Sequence, residues 1–172
     1  SEHLTTAFGA EAADFVNRHQ TEPWFLYLAF NAPHTPHEPT QERLERFASI
    51  ENPVRRAYAA QVSLMDDAIG VALDALRTTG QDQNTLVFFF SDNGGPASKN
   101  GSSNSPLRGE KGEVYEGGVR VPFVVKWPAK LPGGGTFKLP VSSLDVFATS
   151  LSAAGAEMPK DRKYDSVNLI PY

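Results

Sequence analysis

Cysteine is absent from the 172 residues, so neither disulfides nor thiolate chemistry can arise within this stretch. No apolar run approaches the roughly 20 residues that a membrane-crossing helix needs, and no signal peptide is visible. A basic excess is lacking too: 16 Lys and Arg stand against 20 Asp and Glu, a net charge of -4. Bulk charge therefore gives no reason to expect nucleic acid as a partner. What remains is 40% hydrophobic and 21% charged, the composition of a globular chain long enough for one core. There is no internal repeat, and no low-complexity tract beyond the polar loop 98–105. The chain opens almost at once into a helical pattern and stops at Leu169-Ile170-Pro171-Tyr172 without a polar tail. Both ends read as cut, and the expectation is part of a larger protein.

The most informative stretch is Leu86-Val87-Phe88-Phe89-Phe90-Ser91-Asp92-Asn93-Gly94-Gly95. Five apolar residues, mostly β-branched or aromatic, suit a strand buried on both faces. The glycines end it and let the backbone turn. Ligands of open α/β sheets collect at the carboxyl ends of strands, where Asp92 and Asn93 each offer an oxygen. A carboxylate beside an amide carbonyl suits a hard cation such as calcium or magnesium.

Leu4, Phe8, Ala12 and Phe15 predict a packing helix over 6–19, with Thr5 or Thr6 as its cap. Trp24 to Phe30 runs apolar without a break and predicts a second buried strand. The loop after it, Asn31-Ala32-Pro33-His34-Thr35-Pro36-His37-Glu38-Pro39, has three prolines in seven residues and is stiff. It presents His34 and His37. Thr40 to Phe47 predicts a short helix. A long one follows Asn52-Pro53, with Tyr58, Val62, Met65, Ile69, Leu73 and Leu76 as its stripe and Gly80 as its C-terminal stop. Asp66 and Asp74 read as solvated helix-face carboxylates, while Asp67 stays open between that and a functional part. Strand 24–30, helix 54–77 and strand 85–90 form a βαβ unit, so the strands are expected to be parallel. His34 and the Asp92-Asn93 pair would then share one sheet edge.

Residues 96–106 lack periodicity and predict a long loop over that edge. Leu107 to Pro122 carries four glycines that allow close backbone approach to a ligand, and Lys111 can reach an anion as a point charge. Val119 to Trp127 predicts a third strand. No crossover helix precedes it, so it is expected to run antiparallel and make the sheet mixed. A short strand over 137–141 and a helix around Leu144, Phe147, Ala148 and Leu151, capped by Ser142 or Ser143 and closed by Gly155, complete the reading. Residues alone thus predict an α/β fold, a mostly parallel, mixed sheet flanked by helices, with a metal-assisted site acting on an anion.

The motifs Ala32-Pro33-His34-Thr35-Pro36-His37, Ser91-Asp92-Asn93-Gly94-Gly95, Leu107-Arg108-Gly109-Glu110-Lys111-Gly112 and Tyr115-Glu116-Gly117-Gly118-Val119-Arg120-Val121-Pro122, with the Ser143-Leu144-Asp145-Val146-Phe147 helix, occur in this order. In that order and spacing the chain resembles the type I sulfatases (arylsulfatases) of the alkaline phosphatase superfamily. The resemblance implies an incomplete alkaline-phosphatase-like fold in which 1–172 is the later part of the catalytic domain. The nucleophile-bearing part and the C-terminal subdomain would lie outside it. It implies one calcium ion held in part by Asp92 and Asn93, an active-site histidine at His34 and a sulfate-binding lysine at Lys111. His37 is the weaker candidate for reaching substrate. Family mechanism implies a formylglycine, made from cysteine or serine outside this stretch and hydrated to a diol that attacks sulfur. His34 would then help protonate the leaving alcohol. A sulfated small molecule or glycan is the implied substrate, and the periplasm or cell exterior the implied location.

The chain departs from the family where the nucleophile motif Cys/Ser-x-Pro-x-Arg should stand. Ser105-Pro106-Leu107-Arg108 has its proline one place early. The family's two N-terminal aspartate ligands are missing as well. Two alternatives stay open: a phosphate or phosphonate hydrolase of the same superfamily, and a non-catalytic relative that holds a sulfated glycan. Only four histidines exist, and His3 and His19 sit on or before the first helix, which disfavours a two-metal site.

Overall fold

The structure, a computed structural model, describes residues 3–172. It divides into two compact units: residues up to Asp82 together with Asn93–Arg120, and Gln83–Asp92 together with Val121–Tyr172.

The first unit is built of helices and loops. Helix α1 spans Leu4–Arg18, α2 Gln41–Arg46 and α3 Pro53–Thr78. His3, rather than Thr5 or Thr6, caps α1: its Nδ1 accepts from the Thr5 amide at 3.2 Å. Thr40 and Asn52 cap α2 and α3 as side-chain acceptors for Arg43 N and Arg55 N. Gly80 follows α3 with φ 71°, and its N–H reaches the Arg77 carbonyl.

The faces that meet are not the ones with the largest side chains. In α1, Thr5, Gly9, Ala12 and Val16 are buried, whereas Leu4 is 53% exposed. In α3 the buried set is Ala60, Gln61, Leu64, Ala68, Ala75 and Leu76; of the expected stripe only Leu76 belongs to it. A Cβ on Gly9 would stand 2.7 Å from the Ala68 carbonyl oxygen, so small residues let the two backbones come close. Phe8 and Phe15 pack instead on Phe30 and Trp24, edge to face at 6.3 and 5.7 Å. Asp67 pairs with Arg43 across α2 and α3, and Asp74 pairs with Arg77 on the surface. Both carboxylates are thus engaged in ion pairs within the first unit.

Residues 24–30 are extended but form no strand. A strand exists by pairing, and the other elements of this unit are helices and loops. Trp24, Leu26, Leu28 and Phe30 are half-buried, while Phe25 and Tyr27 are 72% and 75% exposed. The expected burial on both faces is therefore halved.

The second unit holds the sheet. Strand β1, Val87–Phe90, pairs antiparallel with β2, Phe123–Lys126, in the register Val87↔Lys126 to Phe90↔Phe123. Phe90 stacks on Phe123 with ring centroids 5.4 Å apart. The antiparallel third strand expected from the missing crossover is thus present. The parallel ladder between 24–30 and 85–90 is not formed among the described residues. β2 starts later than expected because Glu116–Val119 is a short helix, α5, assigned to the first unit. Residues 137–141 form no strand.

Helix α6, Asp145–Ala153, closes the second unit. The N-cap position is Leu144, without a side-chain cap, rather than the expected Ser142 or Ser143; ahead of the helix Ser142 Oγ accepts from Leu144 N, and Asp145 Oδ2 accepts from Ser142 N at 2.8 Å. Asp145 Oδ1 also accepts from Val167 N at 2.8 Å, and buried Thr149 accepts from Leu169 N. The C-terminal segment is fastened to α6 in this way without a regular element of its own. No helix among the described residues is long and apolar enough to cross a membrane.

Candidate active site

The first unit brings two of the expected residues together. Lys111 Nζ lies 3.4 Å from His34 Nε2. His34 Nδ1 stands 2.7 Å from the Thr35 carbonyl oxygen, which can only accept. The ring proton is therefore assigned to Nδ1, and Nε2 is left as the acceptor that faces the ammonium. The loop that holds His34 is bent by two cis bonds, Ala32–Pro33 and Thr35–Pro36, and by a turn in which His34 N donates to Asn31 O at 2.8 Å. His34 itself is exposed.

Lys111 rides on a loop whose backbone is closed upon itself. Gly117 N donates to Arg108 O at 2.6 Å, Glu113 N to Glu110 O at 3.0 Å, and Gly94 N to Gly118 O at 2.9 Å. Side chains have no room at these crossings. A Cβ on Gly94 would fall 1.7 Å from Gly117 O, and one on Gly117 would fall 2.1 Å from Gly109 O. The glycines of the Tyr115 to Val119 motif thus serve backbone-to-backbone packing, which holds the Lys111 loop against the turn that begins at Asn93-Gly94. Arg108 adds a side-chain clasp. Its guanidinium lies 3.8 Å from the centre of the Tyr115 ring and donates to the Tyr115 hydroxyl at 2.8 Å.

Glu110, beside Lys111, accepts from Ser98 N at 2.8 Å and from Ser98 Oγ at 2.6 Å. These hydrogen bonds, with a smaller contribution from Lys99, hold its carboxyl below the usual 4.5. Ser98 lies in α4, Ala97–Asn100, a helical turn within a stretch expected to be irregular.

His37 is turned to other partners. Its Nε2 donates to the Pro33 carbonyl at 3.2 Å, and its ring meets Tyr58 edge to face at 5.8 Å. Asp92 is exposed at the end of a segment of the second unit, and Asn93 opens the 93–120 segment of the first. Asn93 Nδ2 donates to the Gly94 carbonyl at 3.1 Å. Among the described residues no group of three or more His, Asp or Glu converges as a metal site. The donors of Asp92 and Asn93 suit a hard cation in kind, but two side chains fall short of the six to eight oxygens calcium takes.

The profile of the sulfatase family matches residues 1–156. This chain belongs to the sulfatase family. It is 39% identical to the steryl-sulfatase of Rattus norvegicus over 175 residues, and 38% identical to the N-acetylgalactosamine-6-sulfatase of Sus scrofa over 174. Each alignment covers 98% of this chain and 29% and 32% of those proteins. Among solved structures, that of Ps i-CgsB in complex with k-i-k-neocarrahexaose superposes with a TM-score of 0.94 at 40% identity, over 99% of this chain and 38% of that one. The PsFucS1 sulfatase from Pseudoalteromonas sp. superposes with a TM-score of 0.81 at 29% identity, over 96% and 33%. The chain thus spans about a third of the length of the sulfatases it matches.

Against this background, two polar groups that hold the sulfatase loop in shape carried no signal in the sequence. Glu110 looks like one more surface acid. Asn104 lies in a run of Ser, Asn and Gly and yet makes three hydrogen bonds through one side chain. Neither spacing nor composition distinguishes it from Asn100 nearby.

Proposed function

We propose that the full-length protein hydrolyses sulfate esters, and that this chain supplies the sulfate-binding and leaving-group side of the site. The observation that carries the reading is the 3.4 Å approach of Lys111 Nζ to His34 Nε2 in an exposed position. A sulfate oxygen entering here takes a hydrogen bond from the ammonium and leaves charge where Lys111 neutralises it. His34 Nε2, an acceptor in the neutral ring, first takes up a proton from solvent; the imidazolium then gives that proton to the leaving alcohol and returns to the Nδ1–H form, while the Thr35 carbonyl keeps the ring oriented through Nδ1. His37, engaged with Pro33 and Tyr58, lines the approach to substrate. Asp92 and Asn93 contribute two oxygen ligands to a calcium ion whose remaining ligands lie outside this stretch, and the bound ion supplies further charge neutralisation at the sulfate. A formylglycine outside this stretch supplies the nucleophile. Residues 1–172 form the later part of the catalytic domain in this reading.

A sulfated carbohydrate is the substrate class we favour. It is supported by the 40% identity to a protein solved with a neocarrahexaose and by the N-acetylgalactosamine-6-sulfatases among the relatives. Export to the periplasm or the cell exterior goes with that reading, and cell fractionation tests it. The deciding experiment compares an aryl sulfate with the matching aryl phosphate on the full-length protein. Sulfate turnover well above phosphate turnover is expected. The reverse preference would move the protein to the phosphoryl branch, and turnover of neither would leave a binding role.

A further inference from the structure

The amide of Asn104 is used at both ends. Its Oδ1 accepts from Gly95 N at 2.9 Å, and its Nδ2 donates to Gly95 O at 2.7 Å and to Gly109 O at 3.1 Å. Towards Gly95 the side chain therefore acts like a paired backbone segment, with one bond given and one received. Towards Gly109 it reaches the residue two places before Lys111. One planar group thus joins the turn after Asn93-Gly94 to the base of the Lys111 loop. The approach is close on both sides. A Cβ on Gly95 would stand 2.3 Å from Ser102 Oγ, and one on Gly109 would stand 2.7 Å from the Tyr115 Cβ at a φ of +91°. Aspartate has the shape but no donors, and serine lacks both the reach and the second donor.

Granted the sulfatase reading above, we infer that Asn104 is a positioning residue for Lys111. It ties the start of the 109–118 loop to the Gly95 turn, and so fixes where the ammonium stands beside His34. Asn104 touches no reacting atom. Its effect on turnover passes through Lys111, because an ammonium on a flexible stem stabilises a transition state only as far as it is held in place beforehand. Without the staple, the loop samples other positions and the charge is misplaced.

The test uses the full-length protein with Asn104→Ala and Asn104→Asp, each alone and combined with Lys111→Ala. Two quantities are read: kcat and KM on an aryl sulfate, and amide hydrogen exchange across 93–120. Each Asn104 change is expected to lower kcat by about 10- to 100-fold and to add nothing once Lys111 is alanine. Exchange should quicken across 109–118 in both variants, and at Gly95 in Asn104→Ala, while α3 is unchanged. The same fold-loss with and without Lys111, or unchanged exchange, would overturn the inference. Should the alanine variant not fold, the isosteric aspartate variant decides, since it keeps the acceptor for Gly95 N and removes both donated bonds. If the parent protein turns over no sulfate ester, the sulfatase reading fails, and hydrogen exchange alone decides whether Asn104 holds the loop.

Discussion

Lys111 and His34 are separated by 77 positions, yet the ammonium nitrogen of one stands 3.4 Å from the ring nitrogen of the other. Two loops bring them there: a proline-bent one whose carbonyl fixes the imidazole tautomer, and a glycine-packed one that carries the lysine. Neither residue has a carboxylate partner among the described residues. In the proposed function an incoming sulfate is the anion this pair receives.

Lys111→Ala in the full-length protein should lower kcat by about 10²- to 10³-fold, the usual cost of removing one preorganised donor to developing charge. His34→Ala should fall in the same range. Steady-state kinetics of the two single variants and the double variant checks this. The double variant should lose less than the product of the single losses, because the two groups act on one anion. Unchanged turnover in Lys111→Ala would take the lysine out of the site.

Two glycine substitutions should act in opposite directions. Gly117→Ala places a Cβ 2.1 Å from the Gly109 carbonyl oxygen, a backbone atom that no rotamer change can move. It should cost about 1–3 kcal/mol or more and reduce activity along with stability. Gly70→Ala, inside α3 with nothing within 4 Å of the new Cβ, should stabilise by about 0.5–1 kcal/mol. Urea denaturation of both variants reads the pair, and equal shifts of one sign would contradict the packing described.

The Glu110 carboxylate should keep Ser98 anchored well into acid. Its value in the folded protein is held below the usual 4.5, first by the Ser98 hydrogen bonds. The anchoring is therefore complete above 4.5 and is lost as pH falls through the lowered folded value. The amide resonance of Ser98, followed by NMR, should titrate with a midpoint under 4.5 and should not titrate in Glu110→Gln. A midpoint at or above 4.5 would remove the link.

Calcium affinity, measured by titration calorimetry on the full-length protein, should drop in Asp92→Ala and in Asn93→Ala. A chelator should abolish turnover, and calcium should restore it. Wild-type affinity in both variants would take these residues off the ion.

Where motif order carried the reading, the chain was legible. The loop after Phe30, the stretch from Ser91 to Gly95 and the glycine-rich run from Leu107 to Pro122 pointed to the family before any geometry. The stop at Gly80 stands where glycine chemistry put it, and the helices expected at Thr40 and after Asn52-Pro53 begin there, whereas the caps expected at Thr5 or Thr6 and at Ser142 or Ser143 fall on His3 and Leu144. Packing was less legible. Gly9 and Ala68 lie at the α1–α3 contact because close approach needs small residues, whereas a hydrophobic stripe draws attention to Leu4 and Met65. Trp24 to Phe30 reads as a strand by composition, but pairing depends on a neighbour, and sequence says nothing of which neighbour is present. Asn104 was illegible because its three bonds depend on how a loop folds back, and polar loop residues look alike until it does.

The extended run from Trp24 to Phe30 has one further consequence. One of its faces rests on α1 through Phe8 and Phe15, and the other exposes Phe25 and Tyr27 beside backbone that no ladder occupies among the described residues. Such an edge is a template for any other extended chain. Phe25 and Tyr27 are therefore the two large side chains of this run that remain open to contact with another surface.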